Sequence, residues 1–87
     1  MDEETLIEYP SEFPIKIMGE SHENFTQTIL DIVVRYAPDF VTSTIEIRPS
    51  KNGKYTSITC TINATSREQL DNLYRELSAH PMIKIVL

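Results

Sequence analysis

The order of its apolar repeats constrains the fold of this 87-residue chain more than any other feature of the sequence. Two segments, Phe25–Tyr36 and Leu70–Leu77, repeat apolar residues at helical spacing, so each presents a single apolar face. Pro38 and Pro81 follow these segments closely. Because the residue before a proline is pushed away from helical geometry, we expect both helices to end there.

Polar residues in front of each segment predict where the helices begin. Ser21 is the expected cap of the first helix. Thr65 with Glu68 forms a capping box before the second helix, and Ser66 with Gln69 provides a second possible frame.

Further segments alternate apolar and polar residues, which is the period of a half-buried strand. We expect strands at residues 13–18, 41–48, 55–63 and 82–87. Gly19 ends the first strand, and the turn at residues 49–54 joins the second and third strands as a hairpin. In the last strand the alternation places three apolar residues on one face: Ile83, Ile85 and Leu87.

The length is sufficient for one domain and too short for two. The first positions show no apolar period and are rich in acidic residues: Asp2, Glu3, Glu4, Glu8 and Glu12. We therefore expect residues 1–12 to form an acidic flexible tail and residues 13–87 to form a single domain.

The resulting element order is βαββαβ, with one apolar face on every element. Two split βαβ units of this kind bury their apolar faces when both helices pack on one face of a four-stranded antiparallel sheet. The predicted class is therefore α+β and ferredoxin-like, with strand order 4-1-3-2.

The formal net charge of −5 opposes nonspecific attraction to nucleic acid and to anionic membranes, so we expect neither as a partner. The acidic first residues do not resemble a signal peptide, and no apolar run is long enough to span a membrane. Cys60 is the only cysteine, which fits a reducing compartment. We expect a cytoplasmic location.

The residues needed for the known activities of this fold are missing. Copper carriers need a pair of cysteines in the first loop, RNA-binding modules need aromatic residues on the central strands, and acylphosphatases need an arginine after the first strand. His22 and His80 lie at opposite helix ends, and Cys60 faces inward, where burial would make it inert. We predict no enzyme activity, no metal site and no cofactor.

One candidate ligand site is the turn after the first strand. There the backbone N–H groups of Glu20, Ser21 and His22 could face a small ligand next to Gly19. The alternative is an ordinary strand-to-helix turn. In either case we expect Gly19 to have a positive φ or to pack closely against a neighbouring backbone.

One candidate contact for a partner is the hairpin, where Arg48, Lys51 and Lys54 cluster against an acidic background. These cations could meet an acidic protein, or they could simply keep a solvated turn from pairing with other strands. A separate apolar patch on the open face of the sheet could seat a second subunit, and its expected members are Met18, Met82 and Val86.

Much of the chain resembles the uncharacterised bacterial YbeD-like family. The resemblance rests on residues 13–19, 37–38, 48–57, 61–70, 73–77 and 85–87. It implies a ferredoxin-like fold similar to ACT-type regulatory domains, which bind amino acids near the glycine after the first strand and often pair through their sheets. Gly19 occupies the matching position, and Glu20 beside it departs from a simple carboxylate-binding pocket.

The sequence thus favours a non-enzymatic regulatory or adaptor domain that acts through contacts with an unidentified, acidic protein partner. The alternative is an ACT-type sensor of an amino-acid-like molecule at the Gly19 turn, and a hydrolase using that turn comes third. A weak homodimer is compatible with the apolar patch.

Overall fold

The computed structural model describes residues 8–87. Its elements in chain order are strand β1 (Ser11–Glu20), helix α1 (Phe25–Tyr36), a short 3-10 turn (Thr42–Thr44), strand β2 (Glu46–Pro49), strand β3 (Tyr55–Ala64), helix α2 (Arg67–Ala79) and strand β4 (Ile83–Val86). The strands form one antiparallel sheet in the order β2-β3-β1-β4. The predicted βαββαβ ferredoxin-like fold, with strand order 4-1-3-2, is therefore confirmed.

The two central strands, β1 and β3, pair along their whole length, from Ser11 opposite Ala64 to Glu20 opposite Tyr55. Alternate residues of both strands point toward the helices and are almost fully buried: Ile15, Ile17, Ile58, Cys60, Ile62 and Ala64. The predicted inward set of β3 is correct. The opposite face of the sheet carries mainly polar side chains, and no helix covers it.

Both helices cover the inner face and complete the core. Their buried residues are Phe25, Ile29, Ile32 and Val33 from α1 and Leu70, Leu73 and Leu77 from α2. These are the helical repeats that the sequence shows, and each helix ends before its proline as predicted.

The helix starts agree with the sequence only in part. Ser66 caps α2, since its Oγ accepts a 3.1 Å hydrogen bond from the backbone N–H of Gln69. This is the second of the two predicted frames. The prediction for α1 is wrong, because Asn24 occupies the cap position without a side-chain bond. The Ser21 hydroxyl is instead 2.7 Å from that of Thr56 in β3.

Two strand boundaries also differ from the prediction. β1 begins at Ser11, so Ser11 and Glu12 of the expected tail belong to the sheet, whereas residues 1–7 of that tail lie outside the described residues. The second strand is much shorter than residues 41–48. The hydroxyl and the N–H of Thr44 both donate to the carbonyl of Val41, and this local turn replaces the strand that the β-branched residues favour.

A β-bulge in β4 changes which of its residues face the helices. Val86 lies opposite Ile17 and Ile85 opposite Met18, but Gly19 lies opposite Ile83, so Lys84 is the extra residue. A shift of one residue turns a side chain to the other face of a sheet. Ile83 is therefore buried and Ile85 lies on the open face, which contradicts the prediction that both share one face.

The predicted apolar patch needs the same correction. Met82 and Val86 pack against the hydrophobic core instead of lying on the open face. Of the three predicted members, Met18 remains on that face, and Ile85 is its neighbour across the strands.

Gly19 lies inside β1, one residue before its end, and its φ is not positive. Glycine is required there by close packing, which is the second of the two predicted reasons. A Cβ at this position would overlap the carbonyl oxygen of Met82 and would lie 2.7 Å from Cε1 of Phe25. Gly53 in the hairpin is the described residue with a positive φ, at 76°.

The Gly19→Ala variant should therefore lower the free energy of unfolding by about 1–3 kcal/mol, the usual effect of overpacking a core. Gly53→Ala is the matched control, because its Cβ meets no atom and only the left-handed backbone opposes it, at about 1 kcal/mol. Urea unfolding monitored by circular dichroism measures both. A Gly19→Ala protein as stable as the wild type would contradict the packing explanation.

Candidate functional site

Backbone groups of the predicted ligand turn already form hydrogen bonds within the protein. The backbone N–H of Ser21 donates to the carbonyl of Lys54 at 2.8 Å, and the N–H of Asn24 donates to Nδ1 of His22 at 3.0 Å. Because Gly19 and Glu20 are paired in β1, the four predicted residues do not form a row of free N–H groups. The turn holds α1 and the hairpin together.

A cavity of about 250 Å³ nevertheless lies beside this turn. Its lining residues are Glu20, Ser21, His22, Pro81, Met82 and Lys84. It combines a carboxylate, an imidazole and an ammonium group, which could together hold a small molecule that carries both charges. The sequence did not predict Pro81, Met82 or Lys84 as members of this site. Lys84 is the extra residue of the β4 bulge, and a bulge has no signal in the local pattern.

The structure places the three predicted cations on the same hairpin. Arg48 is exposed in β2, and Lys51 and Lys54 are exposed in the turn, with Nζ of Lys54 5.5 Å from the centre of the Tyr55 ring. The turn satisfies its own polar groups: Ser50 N–H donates to Tyr55, and Lys54 N–H donates to Oδ1 of Asn52. The cations are therefore held on an ordered support.

Positive charge is distributed unevenly between the two layers of the fold. Every lysine and one arginine belong to the sheet or the hairpin: Lys16, Arg48, Lys51, Lys54 and Lys84. Within the described residues none of these five makes an ion pair, whereas Arg35 and Arg67 of the helices pair with Glu76 and Asp71. The sheet layer also carries three carboxylates, those of Glu12, Glu20 and Glu46.

A cluster of polar side chains joins the two helices where α1 ends. The Glu76 carboxylate accepts hydrogen bonds from Arg35 and, at 2.6 Å, from the hydroxyl of Tyr36. These bonds lower the pKa of Glu76, and the bond to Glu76 raises the pKa of Tyr36. The Gln69 side-chain N–H donates to the Tyr36 carbonyl at 2.9 Å. We interpret this cluster as a structural clasp between helices.

No local sequence pattern indicates this clasp. Its members are distant in the chain and come together only when α1 and α2 pack side by side. Gln69 had a predicted role at the start of its own helix, and it performs that role while also binding the last turn of the other helix.

The remaining reactive residues have structural roles. Cys60 is fully buried, and burial raises its pKa to about 11, which disfavours the reactive thiolate. Nδ1 of His80 accepts a bond from the N–H of Met82, as Nδ1 of His22 does from Asn24. Residues 8–87 contain no group of three or more His, Cys, Asp or Glu arranged to hold a metal ion. No helix in this range is long and apolar enough to cross a membrane.

The fold defines the class of the protein as an ACT-like, ferredoxin-like domain. The ACT domain from the GTP pyrophosphokinase of Chlorobium tepidum superimposes with a TM-score of 0.66 and 19% identity, over 87% of this chain and 84% of that one. Protein HP0495 from H. pylori gives a TM-score of 0.75 at 17% identity, over 93% of this chain and 85% of that one.

Residues 4–87 match the family described as "Protein of unknown function (DUF493)", and the chain belongs to that family. It is 61% identical to the UPF0250 protein NE1487 of Nitrosomonas europaea over the full length of both chains. It is 62% identical to a UPF0250 protein of Janthinobacterium sp., over 97% of this chain and 92% of that one. The resemblance to an uncharacterised bacterial family with ACT-like structure is thereby confirmed.

The clasp predicts a specific pH dependence of stability. Because folding lowers the pKa of Glu76 below its usual 4.5, its contribution is present above that value and is lost as the pH falls through the lower folded pKa. Glu76→Gln should therefore lower the urea midpoint at pH 7 and leave it unchanged well below the folded pKa. Asp71→Asn, which breaks an exposed pair within α2, is the control and should have a smaller effect. Equal effects of the two substitutions at pH 7 would contradict the clasp.

Proposed function

We propose that this chain is a non-enzymatic regulatory or adaptor domain that acts through contacts with an acidic protein partner. The observation that carries the proposal is the set of cations on the sheet and hairpin. In a chain of net charge −5, five cations without ion-pair partners among the described residues share one layer. Complementary charge on a partner would steer association and fix its orientation.

The surroundings of these cations favour a protein partner over nucleic acid. Glu12, Glu20 and Glu46 belong to the same layer, and their carboxylates would repel a continuous phosphate backbone. Within the described residues Tyr55 is the one aromatic residue of the open face, and a single ring is too little for stacking successive bases. A protein surface can place single acidic residues opposite single cations.

The reactive groups also support a non-enzymatic role. Among residues 8–87, the groups with shifted pKa values are Cys60 and Tyr74 and three members of the helix clasp, Arg35, Tyr36 and Glu76. None of these groups lines the cavity beside Gly19. Turnover of an acyl or phosphoryl ester by the pure protein would contradict this part of the proposal.

Reversal of charge at the hairpin tests the contact. The double variant Lys51→Glu, Lys54→Glu should reduce capture of a partner severalfold and make the remaining capture less sensitive to salt, because the interaction is screened over about 8 Å at physiological ionic strength. Folding should be unaffected within about 0.5 kcal/mol, since both side chains are exposed. Quantitative mass spectrometry compares the partner proteins captured by the wild type and by the variant, after their melting temperatures are shown to be equal.

Two controls accompany this variant. Lys51→Arg, Lys54→Arg keeps the charge and should retain capture, and Arg75→Glu reverses a charge in the helix layer and should also retain it. Equal capture by the doubly reversed protein and the wild type would show that the hairpin lysines serve only solubility.

A second candidate function is an ACT-type sensor of an amino-acid-like molecule. The cavity beside Gly19 favours it, because Glu20 and Lys84 provide one group for each charge of such a ligand. A titration with the standard amino acids, followed by amide chemical shifts, should then give saturable changes at Ser21, His22 and Lys84. Lys84→Met should abolish the changes, whereas Lys16→Met should not. Unchanged spectra with every amino acid would exclude this sensor.

A further inference from the structure

We propose that three apolar side chains on the open face of the sheet, Met18, Ile85 and Leu87, anchor a partner segment that combines apolar and acidic residues. We call them the open-face patch. The inference rests on the proposed function and deepens it, because it names the chemistry of the partner and the residues that receive it.

The β4 bulge creates this patch. In a regular strand that starts from Ile83 opposite Gly19, Lys84 would lie opposite Met18 and Ile85 opposite Ile17, which faces the helices. The bulge leaves Lys84 without a partner in the ladder and places Ile85 opposite Met18 on the open face. Bulges often serve to redirect a side chain near a functional surface.

The exposure of these side chains opposes stability. Ile85 is 47% exposed and Leu87 is 65% exposed. Burial of an apolar side chain stabilises a fold, so the fold forgoes part of that stabilisation at two neighbouring positions. Burial against a partner would recover it.

The patch is continuous. The backbones of Leu87 and Lys16 bond in both directions, at 3.1 and 2.8 Å, which places Leu87 beside Lys16 in the ladder. Met18 follows Lys16 on the same face of β1, and Ile85 lies opposite Met18. The three apolar side chains therefore occupy neighbouring positions on two adjacent strands.

More cations than carboxylates border the patch on this face. Lys16 lies beside Leu87, Lys84 precedes Ile85, and Arg48 lies in the row of Met18 and Ile85, across Ser57. Two carboxylates share the face: Glu20 follows Met18 along β1, and Glu46 lies across Thr59 from Lys16. An apolar centre with a mainly cationic border complements a segment that carries apolar and acidic side chains.

Charge also disfavours a second copy as the occupant. In a symmetric dimer centred on the patch, each patch would face an identical patch, and the excess of cations on its border would meet the same excess on the other subunit. An acidic segment from a different protein has no such repulsion.

Short labelled peptides of equal length test the inference by fluorescence anisotropy. They are composed of leucine and glutamate, of leucine and lysine, or of serine and glutamate. We expect the leucine–glutamate peptide to bind most tightly and to shift the amide signals of Met18, Ile85 and Leu87. Ile85→Ser should weaken its binding about five- to tenfold, since about 1–1.4 kcal/mol of apolar burial is lost.

Matched variants distinguish loss of the patch from the effect of removing any exposed apolar side chain or any positive charge. Val41→Ser removes an apolar side chain that is 59% exposed outside the patch and should not change binding. Arg48→Glu should weaken binding of the leucine–glutamate peptide, whereas Arg75→Glu in α2 should not.

Equal binding of the serine–glutamate and leucine–glutamate peptides, or an Ile85→Ser protein that binds like the wild type, would overturn the inference. So would association of the free protein in sedimentation experiments that Ile85→Ser abolishes, because the patch would then seat a second copy. If reversal of Lys51 and Lys54 prevents partner capture while Ile85→Ser leaves both capture and peptide binding intact, the proposed function stands and the patch fails.

Discussion

The antiparallel ladder between β1 and β3 supports every other part of the structure. It places Ile15 opposite Cys60 and Ile17 opposite Ile58, so both strands turn the same set of residues toward the helices. The remaining elements are organised around it: β2 and β4 are short edge strands, and the helices cover the buried face. A one-residue slip in this ladder would move its apolar side chains to the open face, so the core itself selects the register.

The close approach at Gly19 links this ladder to the edge strand and to α1. The missing side chain admits both the carbonyl of Met82 and the ring of Phe25. Immediately beyond it, the β4 bulge sends Lys84 toward the cavity and Ile85 to the open face. The close contact at Gly19, the cavity and the exposed Ile85 thus all lie along β4 and the end of β1. They belong to the same layer as the cationic hairpin.

The candidate sites could be predicted to different degrees. The hairpin cations were visible because they are close in the chain, and a turn of that length keeps them on one element. The sequence also indicates the turn after Gly19, but it does not show that the N–H of Ser21 there donates to Lys54, which lies in a distant part of the chain. The sequence assigns the wrong residues of β4 to the open face, because strict alternation assumes a strand without a bulge.

The sequence by itself determined the element order, the apolar face of each helix and of the central strands, and hence the fold. These depend on local periodicity, which the amino-acid order expresses directly. The tertiary structure decided the short second strand, the bulge in β4 and the contacts of Gln69 and Glu76 between the helices. The two helix contacts join residues far apart in the chain, and the bulge depends on how β4 pairs with β1. The shortened strand reflects a local bond from Thr44 to Val41 that outweighs strand propensity, a competition that periodicity does not resolve.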